Sequence, residues 1–250
     1  LKLPFMLWTR EAVADLIRQK FKISISIWTA GRYLRKWGFT PQRPIRKAFE
    51  QDSAAVRAWL DEEYPRIAAE AKADGAEIYW GDEMGVRSDH HAGRSYAPKG
   101  KTPVIRATGK RFSCNMIAAI SNRGTLRFML YREKFTGLFF IRFLARLIKD
   151  AKRRVYLIVD NYSPHKAGVV RQWLANRASK IRVFFLPAYS PELNPEELLN
   201  NDVKNNAVGR RQNPTPEALE SNMRSHLGSK QRSPESVRAY FRKESVAYAA

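Results

Sequence analysis

Val155–Lys166 reads Val-Tyr-Leu-Ile-Val-Asp-Asn-Tyr-Ser-Pro-His-Lys. The five β-formers from Val155 to Val159 make a run too short and too branched for a helix, and it reads as a buried strand. The run stops on Asp160. Asn161, Ser163 and Pro164 break it, and His165 opens a helical pattern that extends to Ala178. In an open α/β sheet, ligands bind in the crevice beyond the strand carboxyl ends. Asp160 is therefore a carboxylate on a rigid strand, aimed at a site. Taken alone it reads more plainly as a turn or capping aspartate. The rest of the chain decides between the two.

Downstream, Ile181–Leu186 is a further strand, Pro187–Pro195 (Pro-Ala-Tyr-Ser-Pro-Glu-Leu-Asn-Pro) is a stiff loop, and Glu196–Val208 is a helix. Upstream, Thr136–Ala151 is an amphipathic helix with Phe139, Phe140, Phe143, Leu144, Leu147 and Ile148 inward. Phe112–Ile120 and Thr125–Tyr131 are strands joined by the hairpin turn Ser121-Asn122-Arg123-Gly124. Ala76–Trp80 is the first strand and ends in Gly81-Asp82-Glu83. Strand side chains alternate faces, so Asp82 and Glu83 cannot both point at one site. This order of elements is that of an α/β domain with a mixed, five-stranded sheet flanked by helices. Between its first two strands, Arg87–Arg111 holds seven Lys and Arg and one acid. Its turn residues mark a β-hairpin edge that lies along phosphates through Arg94, Lys99 and Lys101; a solvated loop is the alternative.

The N-terminal residues have a different character. A helix over 9–20 has Thr9 as its cap and Val13, Leu16 and Ile17 on one face. A second runs from Ile27 to Trp37 and is stopped by Gly38. Ile27, Ala30, Leu34 and Trp37 form its apolar stripe, and Thr29, Arg32, Arg35 and Lys36 point away. Residues 1–50 hold 11 Lys and Arg against 3 Asp and Glu. Two short helices with a tight break and a basic outer face fit a helix-turn-helix, with a plain helical hairpin as the alternative. Arg43 lies in the rigid, basic stretch Phe39–Ile45, a wing or linker. The expected division is 1–48 helix-turn-helix, 49–75 an acidic helical linker kinked or restarted at Pro65, 76–215 a catalytic domain with the basic insertion 87–111, and 216–250 a helical tail. The chain opens on Leu1, not Met, and its first lines read as mid-domain, so an upstream part is expected.

Composition narrows the partners. Forty-five Lys and Arg against 24 Asp and Glu give a formal net charge of +21 over 250 residues. So basic a chain repels itself unless a polyanion neutralises it, and nucleic acid comes before an anionic membrane surface. No apolar run has the length of a membrane-spanning helix. The single cysteine, Cys114, excludes an internal disulfide and a Cys-rich zinc site and fits a reducing cytoplasm.

Acids end the first and fourth strands, and another opens the helix after the fifth. Three carboxylates converging on one site would raise one another's pKa values unless a cation neutralised them. Hard oxygen ligands point to Mg²⁺. Two such ions about 3.5–4 Å apart are the usual device for in-line displacement at a phosphodiester. Charge and site thus converge on DNA or RNA.

Trp80-Gly81-Asp82-Glu83, Asp160-Asn161 with His165, and Tyr189-Ser190-Pro191-Glu192-Leu193-Asn194-Pro195-Glu196-Glu197 resemble the three blocks of mariner-type DDE transposases, in particular their bacterial insertion-sequence branch. The likeness covers roughly residues 9–210. It implies an RNase H-like core behind a winged helix-turn-helix, and cut-and-paste movement of DNA between terminal repeats and TA-containing targets. It further implies a homodimer in the active complex and a place in the bacterial cytoplasm, at the nucleoid. Carried over by position, Asp82, Asp160 and Glu197 are the catalytic metal ligands, with Glu196 the alternative to Glu197. They would hold two Mg²⁺ ions, with Mn²⁺ as a substitute. Asn161 and His165 are accessory groups, for water or phosphate, although a cap or surface histidine fits His165 as well. Two departures stand out. Leu198-Leu199-Asn200-Asn201 occupies the place of a tryptophan usual after the third acid, and the chain starts too late for the family's upstream helix-turn-helix. A metal-dependent nuclease or resolvase on the same fold, and a DNA-binding remnant of a transposase, are the rival readings; a two-carboxylate glycosidase would have no use for the charge.

Overall fold

β1 (Glu77–Arg87), β2 (Ser113–Ile120), β3 (Leu126–Tyr131), β4 (Val155–Val159) and β5 (Ile181–Phe185) form one mixed sheet in the order β3-β2-β1-β4-β5. The structure is a computed structural model that describes residues 7–42, 44, 48–91, 93–105 and 108–250. They fall into two compact units, Leu1–Lys47 and Ala48–Ala250.

The sheet belongs to the second unit. β1 pairs in parallel with β4 only from Glu77↔Val155 to Trp80↔Ile158, but antiparallel with β2 from Trp80↔Ile120 to Arg87↔Ser113. The first strand was expected to stop at Trp80. It runs on to Arg87 because β2 supplies partners after β4 has ended. The predicted hairpin edge over 87–111 does not form. Among the described residues no strand lies between Arg87 and Ser113. That stretch has no alternating run of β-formers to sustain a ladder. The segment is a long connection closed at its base by Ser88 N–H donating to Phe112 O at 2.9 Å.

Each face of the sheet is covered by helices. On one, α5 (Gly137–Lys149), capped by Thr136, and α6 (Gly168–Ala175) bury Phe140, Leu144 and Val170 against Tyr79, Ile117 and Leu157. The helix expected to start at His165 starts at Gly168 instead. Ser163–Lys166 makes a separate 3₁₀ turn, and extended Ala167 (φ −57°, ψ 145°) parts the two.

On the other face lie α3 (Ser53–Ala58), α4 (Tyr64–Ala73), α7 (Glu196–Asp202), α8 (Pro216–Gln231) and α9 (Pro234–Arg238). A π turn, Trp59–Glu63, joins α3 to α4 immediately before Pro65. Proline has no N–H to donate and crowds the preceding turn, and the wider turn accommodates both defects without ending the helix. Residues expected as a linker thus bury Trp59, Tyr64, Ile67 and Ala71 in the core, beside Leu219, Met223, Leu227 and Phe241 of the expected tail. Trp59 Nε1 donates to Tyr248 Oη at 3.1 Å, and Tyr248 Oη donates to Leu193 O at 2.8 Å.

The first unit contains α1 (Arg10–Phe21) and α2 (Ile27–Lys36). Thr9 and Ser26 cap them by accepting from the Ala12 and Thr29 amides. The break between them starts at Lys22, which is left-handed at φ 58°. Ala12, Ala30 and Gly31 are buried. A Cβ on Gly31 would come within 2.8 Å of Arg10 Nε, so the glycine permits that close approach. The predicted stripe of α2 is only partly inward. Ala30 is buried and Leu34 half-buried, while Ile27 and Trp37 are exposed and Trp37 stacks on Tyr33 at 5.5 Å. Among the described residues no helix is long and apolar enough to cross a membrane.

Trp59→Ala is expected to lower unfolding free energy by about 3–5 kcal/mol, as for a buried core tryptophan. Denaturant unfolding measures this, and a loss below about 1 kcal/mol would return residues 53–73 to the status of a linker.

Candidate active site

The register sets the site. Trp80 and Ile158 are the last residues through which β1 and β4 pair with each other. Two positions further along each strand stand Asp82 and Asp160, on the face that carries Trp80 and Ile158. Here the strands are no longer bonded to each other. Gly81 sits where they part, and a Cβ there would meet Leu157 Cδ1 at 3.2 Å.

The third acid arrives on a pinned loop. Asn194 Nδ2 donates to Gly81 O at 3.2 Å, and its Oδ1 accepts from Glu196 N at 3.1 Å. Gln51 Nε2 holds Tyr189 O, Ser190 Oγ and Glu192 Oε1 at 3.0, 3.1 and 2.7 Å. Tyr189 is left-handed at φ 56°. The two glutamates that open α7 then diverge, as adjacent helical residues must. Asp82, Asp160 and Glu197 line one cavity of about 530 Å³, with Asn161, Tyr162 and Tyr189 on its walls. Glu196 is fully buried and turned away from the cavity.

Burial pushes the Asp82 carboxyl well above its usual range, and the charges of Glu197, Glu83 and Asp160 push the same way. Burial raises Glu197 too, with Asp160 adding to it and Lys204 opposing. Asp160 is the exception. Its burial acts upward, but His165 and the Tyr162 N–H, which donates at 3.0 Å, outweigh that and hold it low. Glu196 is raised well above its range by burial and then by Asp82, Glu197 and Glu83.

His165 is neither a cap nor a surface group: its side chain is 1% exposed. Nδ1 lies 3.1 Å from Asp160 Oδ1, and Nε2 lies 3.2 Å from Glu83 Oε2. Burial disfavours the imidazolium, but these two carboxylates overcome that and raise its pKa to about 9. Glu83, Asp160 and His165 bring ligand-type atoms within 4.8 Å of one another. The 3.1 and 3.2 Å contacts set the imidazole between two carboxylates. Asn161 is held as a structural link: its Nδ2 donates to Leu186 O and its Oδ1 accepts from Lys166.

Three groups were missed by the sequence reading. Glu83 was set aside because it faces away from Asp82, and it is that opposite face that lets it hold His165. Asn200 Nδ2 donates to Asp82 Oδ2 at 2.9 Å, from the stretch that lacks the expected tryptophan. Asp202 accepts from His226 Nε2 at 3.2 Å, Lys230 Nζ at 2.8 Å, Asn206 Nδ2 at 2.6 Å and the Tyr240 hydroxyl. These donors outweigh its burial and hold its carboxyl far below the usual range, fastening α7 to α8. Only the spacing from the last helix could have hinted at this.

The candidate DNA contacts fall in both units. Arg32, Arg35 and Lys36 are exposed on α2, and half-buried Thr29 accepts from Arg32 Nη2 at 3.3 Å. Arg94, Lys99 and Lys101 are exposed in the long connection, and Arg94 lines a cavity of about 550 Å³ with Arg210 and Arg211. Arg43 lies outside the described residues.

A family model described as DDE superfamily endonuclease matches residues 77–220, the stretch that carries all three acids. The chain belongs to that family. A winged helix-turn helix model matches residues 4–63 of this DDE protein. The "Insertion element IS630 uncharacterized 39 kDa protein" of Shigella sonnei is 26% identical over 204 residues, which are 77% of this chain and 55% of that protein. The chain thus spans about half the length of the curated relative it matches. The Mos1 strand transfer complex superposes with a TM-score of 0.65 at 17% identity, covering 100% of this chain and 81% of that one. The mariner Mos1 paired end complex with Mg gives 0.62 at 16% identity, with the same coverage. The fold is therefore the RNase H-like fold behind a helix-turn-helix, as expected.

Asp202→Ala is expected to cost about 3 kcal/mol, since it strands His226 and Lys230 at a partly buried site. Thermal unfolding and hydrogen exchange across residues 196–208 measure it, and unchanged protection there would show that α7 is held by packing alone.

Proposed function

We propose that the protein is a DNA transposase that cuts strands at the ends of an insertion sequence and joins them to target DNA. One observation carries the reading: Asp82, Asp160 and Glu197, from three distant segments, line one cavity beyond the end of the β1–β4 pairing. Their all-oxygen donor set and the raised pKa values of Asp82 and Glu197 fit a divalent cation. Mos1 paired end complexes with Mg and with Mn support the same choice of metal.

In this mechanism Asp82, Asp160 and Glu197 would hold two Mg²⁺ ions, or Mn²⁺ in their place. When bound, such ions supply an activated water and neutralise charge at the phosphodiester. The chain's own groups do the rest. His165, with Glu83 3.2 Å from its far nitrogen, holds the Asp160 carboxyl low, which favours the form that binds a cation. The Asn194 anchor on Gly81 keeps the start of α7 against β1, which presents Glu197 to the cavity. Water cleavage at the element end leaves a 3′-hydroxyl, whose oxygen then attacks a target phosphodiester and displaces that strand's own 3′-oxygen, so no covalent protein–DNA intermediate is required. Exposed Arg32, Arg35 and Lys36 on α2 read the terminal repeats. The basic connection with Arg94, Lys99 and Lys101 follows phosphates. The target contains TA, two chains act together, and the work is done in the cytoplasm at the nucleoid.

Asp160→Ala is expected to reduce Mg²⁺- or Mn²⁺-dependent nicking of supercoiled plasmid to the metal-free background while DNA affinity persists. Equal nicking by both forms would remove the carboxylate site. Affinity for DNA is expected to fall on the order of 10³-fold between about 50 and 200 mM salt as counterions are released; a flat response in a binding titration would count against a DNA partner. Replacing Arg32 and Arg35 should weaken binding to element ends more than to random DNA, and equal losses on the two would displace α2 as the reading helix.

A further inference from the structure

A second polar layer lies beneath Asp82. Asn200 is 1% exposed and Glu196 0%. They stand four residues apart on α7 and so share one face of it. Asn200 Nδ2 donates to Glu196 Oε2 at 2.6 Å and to Asp82 Oδ2 at 2.9 Å. An amide nitrogen has two hydrogens, and both are used on carboxyl oxygens. Glu196 therefore fixes the amide plane, and the other hydrogen is delivered to Asp82. The second Asp82 oxygen, Oδ1, accepts from the Glu83 N–H at 2.9 Å. Each Asp82 oxygen thus holds one internal donor and keeps lone-pair capacity for a cation.

We propose that Asn200 is a positioning residue for Asp82 and that Glu196 is the group that aims it. This rests on the reading of Asp82 as a metal ligand. Packing alone does not account for the pair. Glu196 Oε1 and Asn200 Oδ1 are buried without a hydrogen-bond partner, next to Leu199 and Val203 in an apolar core. A half-satisfied polar pair is less stable than an apolar one of the same volume. A pair serving stability alone would be apolar here. A pair that orients Asp82 has these residue types, because groups that orient a metal ligand set its affinity for the ion, typically by 10–100-fold.

The test compares Mn²⁺ binding to the full chain without DNA, by calorimetry, with the thermal midpoint and with plasmid nicking, for wild type, Asn200→Ala, Glu196→Met and Glu196→Gln. Asn200→Ala and Glu196→Met are expected to weaken Mn²⁺ binding by about 10–100-fold. Glu196→Met should do so with an unchanged or higher thermal midpoint, since it removes a buried carboxyl. Glu196→Gln should stay near wild type, since its amide oxygen still accepts from Asn200. Wild-type Mn²⁺ affinity in folded Asn200→Ala and Glu196→Met would overturn the proposal. So would losses that track a falling midpoint in every variant, Glu196→Gln included. A wild-type chain that binds no Mn²⁺ at all removes the metal reading and this inference together, which distinguishes that failure from the other two.

Discussion

Five carboxyl groups, Asp82, Glu83, Asp160, Glu196 and Glu197, come together around the end of the β1–β4 pairing, and their mutual repulsion is the constraint on which the surrounding structure depends. Two unit charges about 4 Å apart repel by ~4 kcal/mol at the effective dielectric of such a site. The fold separates the five in different ways. Strand alternation sends Glu83 to the opposite face, where His165 stands between it and Asp160. Burial pushes the Glu196 carboxyl well above its usual range, toward the uncharged form. What remains is a set of three on one cavity, with repulsion left over between Asp82 and its neighbours. That residual repulsion makes the cavity receptive to cations in a protein whose net charge is +21.

The same constraint explains the investment in supports around the third segment. Asn194 pins the loop to Gly81, Gln51 braces it from the start of the second unit, and Asp202 fastens α7 to α8. A repelling group is displaced easily when it sits on a loose loop. Here Glu197 follows a 3₁₀ turn and a left-handed tyrosine whose backbone is bonded on both sides of the bend. Exposed basic residues lie on the long connection between β1 and β2 and, in the first unit, on α2.

Much of this was legible in the sequence because its signals are local. Val155–Val159 followed by Asp160 is a strand and its end, and the alternation rule alone showed that Asp82 and Glu83 diverge. Glu197 was separable from Glu196 only through the family's spacing, since both open the same helix. What stayed hidden depends on long-range partners. β1 continues past Trp80 because β2 pairs with it, which no window around Trp80 reveals. Residues 53–73 read as an acidic arm because their exposed face is acidic, while Trp59, Tyr64 and Ile67 are buried by elements more than a hundred residues away. His165 looked like a cap because the short turn it occupies has cap-like neighbours. Its burial is decided by Phe135 and Phe140, which pack against its ring at 5.6 and 4.4 Å.

The hydroxyl of Tyr248 bridges Trp59 and Leu193. Proteins are made from the N-terminus, and early domains fold as they emerge. The helix-turn-helix, Asp82 and Asp160 all leave the ribosome before Tyr248 does. The loop ahead of Glu197 gains that brace only when this late residue has been made and has docked on both a segment made far earlier and the loop itself. The support of that loop is therefore completed late in the making of each molecule, with the order of synthesis acting as the clock.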